Sequence, residues 1–200
     1  GLSVNYTKPT TSGTSVNYAI DPTDATSVNF VQALMQKYIK YFANKGCTMF
    51  NIAADECGFS SMSTKTYTAY AKMVNSMAAM VQNAGMTPLA FNDGIYHIGM
   101  TTNTDFDTNI AVCYWDASSD KYAPAATLAS KGFKIINTNN HWYYVIGKEN
   151  ITGSNWSQYA YTCEYAMKQM SSTNSCLNID GDSNKTTPAG CMAAIWCDYP

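Results

Sequence analysis

The chain contains no arginine; its twelve cations are all lysine, set against fourteen acids for a net charge of −2. Charged residues make up only 13% of the sequence, about half the roughly 25% usual in globular domains. A groove that works by neutralising phosphates is excluded, because the balance is slightly acidic and no lysines cluster. No nucleic-acid partner is therefore expected. Long apolar runs are missing too: nothing reaches the ~18 residues needed to cross a bilayer, so no membrane insertion is expected. No G-x-G-x-x-G or P-loop follows any apolar run, which leaves nucleotide binding without support. Histidine is scarce, at two residues (His97 and His141), and the seven cysteines include no C-x-x-C pair. No metal site and no cofactor are expected. A charged-then-apolar leader is absent as well, so any signal peptide is expected to have been removed or to lie outside the chain.

What is present points to a packed protein. A composition of 46% hydrophobic and 13% aromatic residues is the opposite of a disordered one and supplies a real core. The polar surface must come from Ser, Thr, Asn and Tyr, as in secreted proteins that handle neutral polymers. Cys113, Cys191 and Cys197 sit in or beside apolar runs and read as buried, inert thiols; whether Cys163 and Cys176 pair is open. Four N-x-S/T sequons, at Asn5, Asn150, Asn155 and Asn184, permit glycosylation only in a eukaryotic secretory pathway.

Residues 1–20 are rich in Thr, Ser and Asn without periodicity and read as a loop or extended lead-in. Asp21-Pro22 then looks like a helix N-cap with proline in the first turn. Val28, Val31, Leu34, Met35, Tyr38, Ile39 and Phe42 follow at i, i+3, i+4 spacing, an amphipathic helix ending near Lys45-Gly46. A short apolar strand begins at Thr48. The pattern recurs: a helix over 67–83 stops at Gly85 before a strand over 88–91, and a third strand covers 110–115. A helix over 123–130 stops at Gly132 before a strand over 133–137. A further helix is predicted over 156–170 and a last strand over 191–196. Glycine at 46, 85 and 132 supplies the left-handed exit that turns each helix into a parallel strand. Strands alternating with helices imply an α/β fold with a parallel sheet buried on both faces.

The ends of those strands carry the chemistry. They are followed by Asp55-Glu56, Asn92-Asp93, Tyr114-Trp115-Asp116, the segment 137–144, and Trp196-Cys197-Asp198. Carboxylates and aromatics spread over successive strand ends favour a (β/α)8 barrel, whose site sits at the C-terminal face, over a doubly wound sheet. The acid pair begins where the core ends. Of the three glutamates, Glu164 falls in a predicted helix and Glu149 in a polar loop, so Glu56 is the one placed for chemistry. Adjacent carboxylates disfavour joint ionisation and partial burial raises a carboxyl pKa, so one acid can stay protonated as a general acid requires. The bland alternative is a helix N-cap for Asp55-Glu56 and rim packing for Trp115, Trp142, Tyr143 and Trp196. Indoles beside carboxylates, with few cations, suit a neutral sugar: the rings stack on its C–H faces and the acids accept from its hydroxyls. A phosphate ester would want arginine, lysine or a glycine-rich cradle.

Phe50-Asn-Ile-Ala-Ala-Asp55-Glu56 resembles the (F/H)-(N/H)-(I/L)-G-(G/A)-D-E signature of glycoside hydrolase family 20, the β-N-acetylhexosaminidases. The likeness continues through Ala90-Phe-Asn-Asp-Gly-Ile-Tyr96 and Cys113-Tyr-Trp115. It extends over 137–144 (Asn-Thr-Asn-Asn-His-Trp-Tyr-Tyr) and closes with Ile195-Trp-Cys-Asp-Tyr-Pro200, in the manner of the cell-surface enzymes of Gram-positive bacteria. The resemblance implies a partial (β/α)8 TIM barrel, about strands 4–8 of the catalytic domain. Residues 1–20 would be a loop lead-in, and 21–200 the C-terminal portion of a single TIM-barrel catalytic domain. It implies a secreted or cell-surface hydrolase that removes terminal N-acetylhexosamine from glycans with retention, in a polypeptide with further domains. Glu56 would protonate the glycosidic oxygen, and Asp55 would orient the substrate's own 2-acetamido group, which attacks the anomeric carbon to form an oxazolinium. Such substrate assistance departs from the two-carboxylate scheme. Tyr143 would hydrogen-bond the acetamido carbonyl, Trp115 and Trp196 would wall the pocket, Asp198 would hold outer hydroxyls, and Asp93 would also contact substrate.

The departures are specific. Ala53 stands where the family usually has glycine, and Phe91 where many members carry a pocket tryptophan. The family's first three strands, with a sugar-gripping arginine and a P-G-H-like segment, have no counterpart, nor has its closing helix. Two other readings remain open: a lacto-N-biosidase-like enzyme of the same family, and a carbohydrate-binding barrel fragment without turnover.

Overall fold

The structure is a computed structural model that describes residues 4–9, 15–59, 62–115, 121–138, 144–146, 186–192 and 194–196. The lead-in is not a loop throughout. Strands β1 (Val4–Pro9) and β2 (Ser15–Ile20) pair antiparallel, with Lys8 opposite Val16 and Pro9 opposite Ser15. Val16, Tyr18 and Ile20 alternate with smaller or polar residues, a two-residue period that the abundance of Thr, Ser and Asn conceals.

Helix α1 covers Ala25–Asn44. Its cap is Asp24, whose carboxylate accepts the Ser27 N–H at 2.8 Å, not Asp21 as Asp21-Pro22 led us to expect. The Asp21 carboxylate is already occupied by the Thr23 N–H and hydroxyl, at 2.8 and 2.7 Å, so it shapes the turn before the helix. Helix α2 covers Thr64–Asn83 and is capped by Ser63, which accepts the Thr66 N–H. It starts three residues before the expected Tyr67, because the polar first turn carries no apolar periodicity. Helix α3 covers Ala125–Ser130, with Pro124 in the cap position.

The three glycine exits are one motif repeated. Gly46, Gly85 and Gly132 have φ of +80°, +78° and +98°. The N–H of the next residue reaches back to Phe42, Val81 or Leu128, and the glycine N–H to the carbonyl one residue on. This is the double hydrogen bond of a Schellman cap. Each exit leads within three residues into a strand: β3 (Met49–Asn51), β4 (Thr87–Phe91) and β6 (Lys134–Asn137).

With β5 (Ala111–Tyr114), these strands form a sheet in the order β3-β4-β5-β6-β8, every pair parallel. β8 is short, Gly190–Cys191. The order follows the chain without reversal. A doubly wound sheet reverses at its switch point, whereas a barrel adds each strand on the same side. The fold is therefore a partial barrel. The predicted last strand is divided: β8 adds to β6, while β9 (Ala194–Trp196) pairs with β7 (Tyr144–Ile146) in a separate parallel pair. The helix expected over 156–170 lies outside the described residues.

The core lies between α2 and the sheet. Tyr67, Tyr70, Ala71, Val74, Met77, Ala78 and Val81 are buried on one face of α2 and pack with Ile52, Ala90, Val112 and Ile135 of the strands and their exits. Burying such side chains is worth about 1.5–3 kcal/mol for each large one. Helix α1 is different. Ser27 and Ile39 are its buried residues, while Phe30, Leu34, Tyr38, Tyr41 and Phe42 are exposed, as is Met49 on β3. Among the described residues, β3 pairs only with β4, so its other edge is open. No described helix is long and apolar enough to cross a membrane.

Candidate active site

Beyond β3 the chain leaves the extended conformation at once. Ala53, Ala54, Glu56 and Gly58 have φ of +62°, +67°, +48° and +67°. Three non-glycine residues in the left-handed region within four positions is costly, of order 1–2 kcal/mol each. The surroundings hold this turn in place. Asn51 Oδ1 accepts the Ala53 N–H at 2.7 Å, and the Ala53 carbonyl accepts the Phe91 N–H at 2.9 Å. The Ala54 carbonyl accepts the Tyr70 hydroxyl at 2.8 Å. The turn is thus tied to its own strand, to β4 and to α2.

The acid pair rides on this turn. Asp55 is partly buried and Glu56 is exposed. Burial pushes the Asp55 carboxyl up, its own backbone opposes this, and the neighbouring Glu56 charge adds to the rise. Cys57 follows, its thiol donating to the Asp55 carbonyl at 3.0 Å. Burial first, then the charges of Asp55, Asp93 and Glu56, push that thiol to about 12, so it stays protonated and unreactive.

Asp93 is where the strand exits meet. It sits on a single 3-10 turn, Asn92–Gly94, at the end of β4 and is 1% exposed. Its Oδ2 accepts the Glu56 N–H at 2.6 Å, and its Oδ1 accepts the Trp115 indole N–H at 3.1 Å. Burial raises its carboxyl to about 6, the bonds from Glu56 and Trp115 pull it down, and the Asp55 charge pushes it up. Asn92, fully buried, accepts the Trp115 backbone N–H at 2.8 Å. Gly94 is there for space: a β-carbon would run into the Tyr70 hydroxyl and the Ala54 carbonyl, and would lie 2.8 Å from the Phe59 ring.

Beneath the turn lies an aromatic floor. Phe59 packs edge-on against Tyr70 at 5.1 Å between ring centres, and Tyr67 and Tyr70 stack at 5.8 Å. The Tyr67 hydroxyl donates to the Gly94 carbonyl at 3.0 Å and accepts the His97 N–H at 2.9 Å. Burial raises the phenol pKa of both tyrosines, so they remain neutral donors. His97 Nδ1 lies 3.0 Å from the Asp93 carbonyl.

Of the site residues expected from sequence, Asp55, Glu56, Asp93 and Trp115 are thus brought together at the ends of β3, β4 and β5. Trp196 is placed in β9, and Tyr143 and Asp198 lie outside the described residues. Tyr67, Tyr70 and His97 join the site without having been expected there, and Asn92 was expected only as part of the polar cluster after its strand. Asn92 had a signal, a polar residue ending the apolar run 88–91; the tyrosines had none, because helical spacing marks them only as core. No group of three or more His, Cys, Asp or Glu among the described residues is disposed to hold a metal.

The family model for the glycosyl hydrolase family 20 catalytic domain matches residues 3–200. Among solved structures, the chain is similar to the pneumococcal exo-β-D-N-acetylglucosaminidase StrH, which has tandem catalytic modules. The identity is 28% and the TM-score 0.74, over 93% of this chain and 46% of that one. It shares its fold with Dispersin B, at 24% identity and a TM-score of 0.67, over 90% of this chain and 54% of that one. It also shares the fold of a Vibrio harveyi exo-β-N-acetylglucosaminidase solved with N-acetylglucosamine, at 14% identity and a TM-score of 0.58, over 97% of this chain and 30% of that one. The chain spans about half the length of the first two structures or less of the third.

Proposed function

The chain belongs to glycosyl hydrolase family 20, and from that premise we propose that it carries the acid corner of a retaining exo-β-N-acetylhexosaminidase acting on terminal N-acetylglucosamine or N-acetylgalactosamine. The observation that carries this reading is the convergence of the Asp55-Glu56 turn, Asp93 and the Trp115 indole at the C-terminal ends of three successive parallel strands. In this reading Glu56, exposed at the tip of its turn, protonates the leaving oxygen. Asp55, partly buried beside it, orients the acetamido group whose oxygen attacks the anomeric carbon. The sugar–oxygen bond breaks as the oxazolinium forms, and water then opens that ring with Glu56, now a base, taking the water's proton. Two displacements at one carbon leave the configuration retained. Trp115 and Trp196 wall the acetamido methyl and the sugar face, Tyr143 donates to the acetamido oxygen, and Asp198 accepts from outer hydroxyls. The glycan is the partner, no cofactor takes part, and the enzyme works outside the cell, at the bacterial surface or beyond it, in a polypeptide with further domains. The region 21–200 is the C-terminal part of its barrel.

The test is hydrolysis of p-nitrophenyl N-acetyl-β-D-glucosaminide by the full-length protein. Glu56→Gln is expected to lower kcat by about 100-fold or more, the range of a general acid. Asp55→Asn is expected to impair acetamido substrates selectively. Activity that survives Glu56→Gln rejects the acid assignment. Binding of the sugar without turnover by the wild type makes the chain part of a carbohydrate-binding barrel. Turnover of the p-nitrophenyl glycoside of a β-linked disaccharide, with that disaccharide released intact and the single-sugar glycoside untouched, makes it lacto-N-biosidase-like.

A further inference from the structure

Asp93 invites the reading of a sugar contact, since it is an aspartate at a strand end beside a tryptophan. Its geometry argues otherwise. At 1% exposure it offers almost no surface, and each carboxylate oxygen already accepts an N–H, from Glu56 on one side and the Trp115 indole on the other. Those donors belong to the exits of β3 and β5, the two strands flanking the one that carries Asp93. The base of the residue is held as well: its carbonyl faces His97 Nδ1, and Gly94 beside it packs so closely on Tyr70 and Ala54 that a β-carbon would not fit there.

We propose that Asp93 is a positioning residue, whose carboxylate sets the distance between the Glu56 acid and the Trp115 wall by holding both at once. This rests on the reading of Glu56 and Trp115 given above. A carboxylate suits the task because both of its oxygens are acceptors. An asparagine would keep one acceptor and turn an N–H2 group against one of the two N–H donors. A neutral acid would do the same with an O–H. The clamp therefore holds when Asp93 is ionised and loosens as it takes up a proton at about pH 6. Among the described residues, the ionisable groups coupled to its carboxyl are Asp55 and Cys57 from the β3 exit and Tyr70 from α2, while His97 lies against its backbone carbonyl and Glu56 meets it through its backbone N–H.

The experiment uses the full-length protein with Asp93→Asn, Trp115→Phe and the double variant. Kinetics on p-nitrophenyl N-acetyl-β-D-glucosaminide are combined with tryptophan emission measured from pH 4.5 to 8, limits chosen to bracket about 6. Asp93→Asn is expected to lower kcat by about 10- to 100-fold, as misplacement of a reacting group does, and to cost several-fold less in the Trp115→Phe background, since one of its two partners is already gone. The emission difference between wild type and Trp115→Phe is expected to titrate near 6 and to lose that step in Asp93→Asn. A raised KM with unchanged kcat, or equal effects of Asp93→Asn in both backgrounds, overturns the proposal in favour of direct sugar contact or plain structure. If the wild type does not hydrolyse the substrate, the functional reading fails, and the emission step alone decides the clamp: present, it stands; absent, it falls. Should Asp93→Asn fail to fold, Trp115→Phe carries the test. Removing a bond that holds Asp93 ionised should move the acid limb of kcat upward, and an unmoved limb rejects the clamp.

Discussion

One methyl group separates Ala53 from the glycine usual at that place in the family signature. Its φ of +62° is a region that glycine enters freely and alanine enters at a cost of about 1–2 kcal/mol. Replacing it with glycine would relieve that strain but add about 0.4–1 kcal/mol of freedom to the unfolded chain. The first effect is the larger, and Ala53 is exposed, so no packing is lost. Ala53→Gly is expected to raise stability by about 0.5–1 kcal/mol, a shift of a few degrees at most in Tm for a chain of this size. Calorimetry showing a lower Tm would mean that the turn is not strained at this residue. At this scale the sequence was legible where position alone was informative. Asp55 and Glu56 stand out because a carboxylate pair follows directly on a buried strand. The engagement of Asp93 was hidden, because its partners lie 37 and 22 residues away and no local pattern connects them.

Among elements, α2 does more than cover the sheet. Tyr67 and Tyr70, three residues apart on one helical face, send their hydroxyls to the carbonyls of Gly94 and Ala54 at the two neighbouring strand exits. Gly94→Ala is expected to destabilise by about 1–3 kcal/mol through overpacking, since one of the atoms in the way is backbone that cannot swing aside. Tyr70→Phe, which leaves a buried carbonyl without its donor, is expected to cost about 1–2 kcal/mol. Urea denaturation of both variants measures this, and a Tyr70→Phe midpoint equal to wild type would remove the hydroxyl from the account. The helix exits and the strands after them could be read in advance because glycine at the C′ position acts locally. The start of α1 could not: two aspartates three residues apart both suit a cap, and hydrogen bonding to Thr23 decides between them. The splitting of the last strand between two partners depends on strands far away in sequence, which no period of two or 3.6 can reveal.

At the scale of the molecule, the sheet adds strands in chain order and, among the described residues, β3 has no neighbour on its outer edge, near which α1 exposes apolar side chains. Alternation of helices and strands made the α/β class plain, and the strand order separates barrel from doubly wound sheet. Among the described residues, Asp93 makes stability depend on pH. Its folded pKa of about 6 lies above the ordinary carboxyl value of 3.8, so the folded state holds the proton more tightly than the unfolded one. The stabilising contribution is complete below about 3.8 and is lost as pH rises through about 6. Asp55, raised for the same leading reason, acts in the same direction. Wild-type stability relative to Asp93→Asn is therefore expected to fall between pH 4 and 7, the span that brackets these values. Denaturation midpoints of the two proteins that run parallel across that range would contradict it. The state in which the clamp holds is thus the one that folding favours less, a trade common where a site demands a buried charge.

The ties among the strand exits also span short stretches of chain. The bonds from Tyr70 to Ala54, from Trp115 to Asp93 and from Glu56 to Asp93 close loops of 16, 22 and 37 residues. Each joins neighbouring strand–helix units, and short loops close with little entropic delay. The acid corner can therefore form once three consecutive units have emerged, early in synthesis of this stretch and ahead of any pairing that closes a ring.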